Sequence, residues 1–151
     1  MINSSPKVEE VDVADVLELR RRVLRDGTPS DEPGFEGDDD PTTAHLVVRG
    51  DDGVVVATST WIDRPFPDQP DVVAVQLRGM AVRTDAQGRG LGGLLVAAGA
   101  ERARARGARL MWANARDTAL GFYAAQGFEV VGEGFVTTDT RLPHHRVLRH
   151  L

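Results

Sequence analysis

The sequence predicts an α/β fold: a single domain with a mixed, mostly antiparallel twisted sheet of about six to seven strands flanked by three to four helices. Three observations predict it. Apolar patterning along the chain reads in the order strand, helix, three strands, helix, strand, helix, two strands. Two β-rich runs are separated by Gly50-Asp51-Asp52-Gly53, whose Asp-Gly step has the positive-φ chemistry of a hairpin, so part of the sheet is antiparallel. The chain has 151 residues, 41% of them hydrophobic, with no internal repeat, low-complexity tract or second boundary, so 1–151 is taken as one domain with one packed core.

A short strand from Lys7 to Val11 opens the chain. Val11 to Arg25 follows as an amphipathic helix, with Val13, Val16, Leu17, Val23 and Leu24 near helical spacing and Glu18, Arg21, Arg22 and Arg25 free to face water. From Asp26 to Ala44 there is no base, and the acids are mixed with Gly and Pro; residues 26–43 are read as an acidic loop, either functional or mobile. His45 to Arg49 and Val54 to Trp61 form the hairpin. After a Pro-punctuated loop, Val72 to Val82 is the central strand, with Gly79 marking a bulge.

Leu91, Leu94, Leu95 and Ala98 repeat at helical spacing, so Gly90 to Arg106 is a helix laid on the sheet and stopped by Gly107. Arg109 to Asn114 is the next strand. Asp117 or Thr118 caps a helix running to Gln126, with Gly127 as its terminator. Phe128 to Thr138, a turn at Pro143, and His145 to Leu151 complete the sheet. Ligands in such sheets sit beyond the carboxyl ends of parallel strands, which points to the unit from Val73 to Asn114.

Composition excludes several functions. With 23 acids against 18 bases and a net charge of −5, the chain lacks the basic character of a nucleic-acid binder. It has no cysteine, which removes disulfides, thiolate metal sites and a thiol nucleophile, and its four histidines form no spaced zinc motif, so no metal is expected. Met1-Ile2-Asn3-Ser4-Ser5-Pro6-Lys7 has no apolar leader core and no window suits a membrane span, so a cytoplasmic protein without a membrane partner is expected.

The most informative segment is Gln87-Gly88-Arg89-Gly90-Leu91-Gly92-Gly93, between the central strand and its helix. Absent Cβ atoms let a backbone approach a ligand, and the free N–H groups of a helix's first turn form an anion site suited to phosphate or pyrophosphate. One reading is a turn that only redirects the chain, but glycines in a helix's opening turns cost about 1 kcal/mol each relative to alanine. A second is a dinucleotide fingerprint, since Gly88-x-Gly90-x-x-Gly93 fits its pattern and Asp117 lies where a ribose-binding acid is expected. Against it, Thr84-Asp85-Ala86-Gln87 separates strand from glycines, and too few residues follow for a second nucleotide-binding half.

The third reading fits best. Val82-x-x-x-x-Gln87-x-x-Gly90-x-Gly92 resembles the signature of the GNAT superfamily of acyl-CoA-dependent N-acyltransferases, and Ala119-Leu120-Gly121-Phe122-Tyr123-Ala124-Ala125-Gln126-Gly127-Phe128 is similar to that superfamily's second segment. The two stand in the correct order on the predicted elements. The likeness is sharpest from Val75 to Phe128, and Leu142-Pro143-His144-His145-Arg146-Val147 is similar to the ElaA-like subgroup.

The resemblance implies a GNAT fold and acetyl-CoA as acyl donor. It implies that main-chain N–H groups of Gln87, Gly88, Arg89, Gly90, Leu91, Gly92 and Gly93 hold the pyrophosphate. Met80, Ala81 and Val82 would line the pantetheine arm and aim an N–H at the thioester carbonyl, and Asn114 would stand across the slot unless it only satisfies local backbone. Tyr123, the single tyrosine, would protonate the departing thiolate; the alternative is a core phenol with a satisfied hydroxyl.

Gln76 and Arg78 stand where some members carry glutamate, so a water chain or a group from elsewhere has to serve as base; His144 or His145 could contribute, the alternative being surface histidines in a turn beside an edge strand. Arg116 stands where an Asn often opens the last helix. The acidic loop suggests either a cationic amine acceptor steered by Asp38, Asp39 and Asp40 or a solvated segment without a ligand. The expected function is acetyl transfer to a primary amine, on a small molecule or a protein, by direct attack in a ternary complex. The rival is a non-catalytic CoA- or nucleotide-binding regulatory module. Val147-Leu148, read as an apolar edge, would permit a homodimer.

Overall fold

The computed structural model describes residues 5–151. Residues 1–4, part of the stretch read for a leader, lie outside the described residues. The strands are β1 (Val8–Val11), β2 (Ala44–Arg49), β3 (Val55–Asp63), β4 (Ala74–Val82), β5 (Leu110–Arg116), β6 (Glu129–Val136) and β7 (Pro143–His150). The helices are α1 (Leu17–Leu24), α2 (Leu91–Ala105) and α3 (Leu120–Ala125), with short 3-10 turns before α1, α2 and α3. All seven strands form one sheet in the order β1-β2-β3-β4-β5-β7-β6, and only the β4–β5 pair is parallel. The predicted mixed, mostly antiparallel sheet is therefore observed.

Successive strand residues face opposite sides of a sheet, and β3 shows which helix takes which side. Thr60 meets Arg20 of α1, whereas its neighbour Trp61 lies under Gly99 of α2. The main core lies on the α2 side, where Val75, Leu77, Met111 and Val147 from the sheet meet Leu91, Leu95, Val96 and Tyr123. Among the described residues no helix is long and apolar enough to cross a membrane.

Several expectations need correction. The single helix expected from Val11 to Arg25 is broken. Val11 pairs with His45 in the sheet, Val13–Asp15 makes a 3-10 turn, and Val16 precedes α1 with φ −107°. The β-branched run at Val11, Val13 and Val16 favours strand over helix, and sheet pairing decides it.

The buried face of α2 is also rotated from its leucine stripe. Leu94 is 39% exposed, and the buried side carries Gly92, Leu95, Val96, Gly99, Ala100 and Ala103. Small residues let the helix axis come close. A Cβ on Gly99 would lie 1.9 Å from the Trp61 ring, and one on Gly92 2.8 Å from Phe122.

Neither Asp117 nor Thr118 caps α3 with its side chain; the Asp117 carboxylate instead accepts a 2.6 Å hydrogen bond from His145 Nδ1. Pro143 begins β7 rather than marking the turn, which closes through Arg141 N–H to the Thr137 carbonyl. Val147 and Leu148 are not an edge, because β7 lies between β5 and β6 and both side chains are buried. They offer no dimer surface.

Candidate functional site

The sheet opens at its only parallel pair. β4 and β5 are in register at Ala74–Leu110, Val75–Met111 and Gln76–Trp112, and beyond that they pair no further with each other. Two features cause the divergence. On β4, Thr58 and Thr60 of β3 pair with Ala81 and Arg78, so Gly79 and Met80 together oppose Ser59 alone, the expected bulge, with Gly79 at φ 62°. Bulges increase local twist. β5 meanwhile stays paired with β7 through Arg116 and cannot follow.

The resulting cleft has a volume of about 210 Å³. Gln76 to Met80 form one side of the wedge and Asn114 to Arg116 the other. Ala119, Phe122 and Tyr123 line the α3 side, Leu24, Arg25 and Phe35 line the α1 side, and His144 is at the β7 end.

At the carboxyl end of β4 the glycine-rich turn leads into α2. Gly88 and Gly90 have φ of 80° and 77°, and a Cβ on either would meet nothing within 4 Å. Their backbone conformation, not crowding, calls for glycine, and the outer face of the turn is left open. Gly92 and Gly93 face Phe122 and Gln126 and seat α2 against α3.

The first helical bond runs from Leu94 N–H to the Gly90 carbonyl, and no side chain caps the helix. Among the described residues no main-chain N–H from Gln87 through Gly93 donates a hydrogen bond. That row of donors, at the positive end of a 15-residue helix, has the arrangement of an anion cradle. Gln87 fastens it to the central strand by donating its side-chain amide to the Val82 carbonyl at 3.2 Å.

Of the other predicted residues, Met80, Asn114 and Tyr123 line the wedge, whereas Ala81 and Val82 lie beyond it on β4, paired with Thr58 and Ala57. Met80 lines the cleft, while Ala81 has its side chain buried on the strand that leads to the cradle. Asn114 is exposed at the cleft, and its amide satisfies no loop backbone among the described residues. Tyr123 is buried between Phe122 and Phe128, with ring centroids 5.2 Å away on both sides. Its hydroxyl has no protein hydrogen-bond partner among the described residues, and the side chain both packs in the main core and lines the cleft. Burial pushes ionisation of this phenol well above its ordinary range.

His144 was undervalued in the sequence. It is buried, opposes Arg116 in the β5–β7 ladder and lines the cleft. Its Nδ1 donates to the Leu142 carbonyl at 2.8 Å, so in the neutral ring Nε2 is the acceptor atom. Phe135 stacks on the ring at 5.7 Å. The β7 register carries this information, since His144 falls on the same face as Asn114 and Arg116, but register is invisible in a single strand's sequence.

The acidic loop does not present its carboxylates to the cleft. Asp38 accepts two hydrogen bonds from the fully buried Arg20, at 2.8 and 2.9 Å, and another from Phe35 N–H at 2.7 Å. Asp40 accepts the Thr42 N–H and hydroxyl. From residues 26–43 only Phe35 reaches the cleft. Asp38 is thus paired internally, Asp40 is hydrogen-bonded within the loop, and Asp39 is exposed; none of the three lines the cleft.

Comparison with known proteins agrees with this geometry. The model of the acetyltransferase (GNAT) family matches residues 13–128. The chain is 27% identical over 129 residues to the uncharacterized N-acetyltransferase YitI of Bacillus subtilis (strain 168), covering 85% of this chain and 86% of that one. In fold it is similar to Escherichia coli ElaA, with a TM-score of 0.76 at 18% identity over 96% of this chain and 99% of that one. It is likewise similar to a GNAT phosphinothricin acetyltransferase from Sinorhizobium meliloti, solved in complex with AcCoA, with a TM-score of 0.75 at 18% identity over 98% of this chain and 89% of that one. With the wedge between β4 and β5, the anion cradle at α2 and a family match over most of its length, the chain belongs to the acetyltransferase (GNAT) family.

Proposed function

We propose that the protein transfers an acetyl group from acetyl-CoA to a primary amine by direct attack in a ternary complex. The observation that carries this reading is the row of unengaged N–H groups from Gln87 to Gly93, set at the end of a strand whose splayed edge opens onto Tyr123. The cradle fits a pyrophosphate in charge and in donor number, and the structural neighbour from Sinorhizobium meliloti carries AcCoA on the same fold. The main chain of Met80, Ala81 and Val82 would hold the pantetheine arm along β4, with Asn114 across the wedge.

Bound there, acetyl-CoA would supply an activated acetyl thioester. The chain's own residues handle the protons. Tyr123 keeps a proton on its hydroxyl, since burial opposes its loss, and that proton is available to a departing sulfur. His144 Nε2 is the acceptor atom of the neutral ring at the cleft and accepts the proton that an ammonium acceptor must lose before attack. No cysteine is present to carry the acetyl group covalently as a thioester.

The test is thiol release from acetyl-CoA with a panel of primary amines. His144→Gln is expected to lower kcat by about 10²-fold, with partial recovery at higher pH, where solvent deprotonates the amine. Tight acetyl-CoA binding without thiol release for any amine would favour a non-catalytic CoA-binding module.

A further inference from the structure

The overall charge of the chain is −5, yet the α1 side of its cleft is cationic. Arg25, Arg78 and Arg116 line it, and the only carboxylate among the lining residues described is Asp139. Asp139 is about half exposed and pairs with Arg25 at 3.7 Å; it forms no ion pair with Arg78 or Arg116 and only adds a more distant attraction to them. Arg116 is held by a hydrogen bond to the Leu24 carbonyl, a neutral acceptor.

The guanidinium of Arg78 has neither a hydrogen bond nor an ion pair among the described residues. It is half-buried, its guanidinium lies 4.4 Å from the centre of the Phe35 ring, and Arg20 packs on that ring at the same distance. Burial first, then the charge of Arg64, pull its proton affinity down, with Arg20 adding to this and the carboxylates of Asp38 and Asp139 offsetting part of it; arginine stays charged throughout. A part-buried guanidinium with no carboxylate in hydrogen-bond contact leaves its donors open to a ligand that supplies one. The planar fork of arginine matches a carboxylate.

Resting on the acetyl-transfer reading above, we infer that the acceptor is a small primary amine that also bears a carboxylate, bound by Arg78 and Arg116 so that its amino group faces His144. A cleft of about 210 Å³ admits only a small acceptor moiety, and the arginines at its α1 side favour one whose carboxylate lies close to its amine. The position of Arg78 supports this, because it stands two residues from Met80 on the same splayed strand.

The experiment compares amino acids with their carboxamides, pair by pair, as acceptors for the wild-type chain, Arg78→Ala, Arg78→Lys and Arg116→Ala. Expected is a KM for the carboxylate about ten- to a hundredfold below that for the carboxamide, a ratio that collapses in Arg78→Ala and is only partly restored by the point charge of Arg78→Lys. The ratio is read within one protein sample, so partial unfolding of a variant does not imitate the effect.

Equal KM values within each pair, or a ratio unchanged in both alanine variants, would overturn the inference and leave acetyl transfer standing. Thermal shift of the CoA-saturated protein is the second readout. If no amine is turned over, a carboxylate-specific shift that Arg78→Ala abolishes supports the anion site and counts against acetyl transfer. Absence of any such shift as well overturns both.

Discussion

Tyr123→Phe is expected to lower kcat for acetyl transfer by about 10²-fold or more while leaving the KM for acetyl-CoA nearly unchanged. The substitution removes one oxygen and keeps the ring. The edge-to-face contacts with Phe122 and Phe128 survive, and no hydrogen bond among the described residues is broken. Stability should therefore stay within about 0.5 kcal/mol, the range of a change that touches no special structural feature. Since burial holds the phenol protonated far above neutrality, the wild-type rate should show no alkaline fall from Tyr123 below pH 10. Steady-state kinetics with thermal melting of both proteins checks all three statements. An unchanged kcat would return Tyr123 to a packing role.

Asp38→Asn is expected to give the largest loss of stability. It would leave Arg20, fully buried, without its carboxylate; breaking such a pair typically costs about 3–5 kcal/mol. The melting temperature should fall by about 6 °C or more at this chain length. Arg20 has little to fall back on. Its Nε is already unpartnered, and its remaining contacts are the Thr60 hydroxyl, the Pro33 carbonyl and the Phe35 ring.

The pH dependence follows from the same pair. Burial disfavours the Asp38 charge, but hydrogen bonds from Arg20 and Phe35 N–H, with the charge of Arg20, outweigh it and hold the carboxyl below its ordinary value. A depressed folded-state pKa contributes stability above the unfolded value, near 4, and that contribution is lost as pH falls through the folded value. Acid unfolding of Asp38→Asn should lack this component. Because the pair also fixes Phe35, against which Arg78 rests, the acceptor KM should rise with it. Arg20→Met combined with Asp38→Asn should recover part of the stability, since no buried charge then remains.

These two sites differ in how legible they were. Tyr123, the glycine turn and the Gly79 bulge are local features, and short-range sequence spacing carries them. The seven strands and three helices were legible for the same reason, as each is marked by its own periodicity and punctuation. What depends on distant partners was not. The Arg20–Asp38 pair joins residues 18 apart in the chain, and an arginine on an amphipathic helix reads as solvated until its partner is seen.

His144 and the cleft arginines were hidden for a related reason. Their place at the site depends on strand register between β5 and β7 and on the twist that separates β4 from β5. Leu94 misled because helix packing followed the small residues rather than the large ones. Asp117 misled because His145, 28 residues away, took the carboxylate that a helix cap would have used.

Calorimetric titration of the protein with acetyl-CoA, CoA and NAD tests the central claim most directly. One-site binding of acetyl-CoA and CoA, with none of NAD, is expected, together with about 2.7 kcal/mol of stabilisation at a hundred times the Kd. Binding of NAD without either CoA form would contradict the account, making the turn from Gln87 to Gly93 a dinucleotide site.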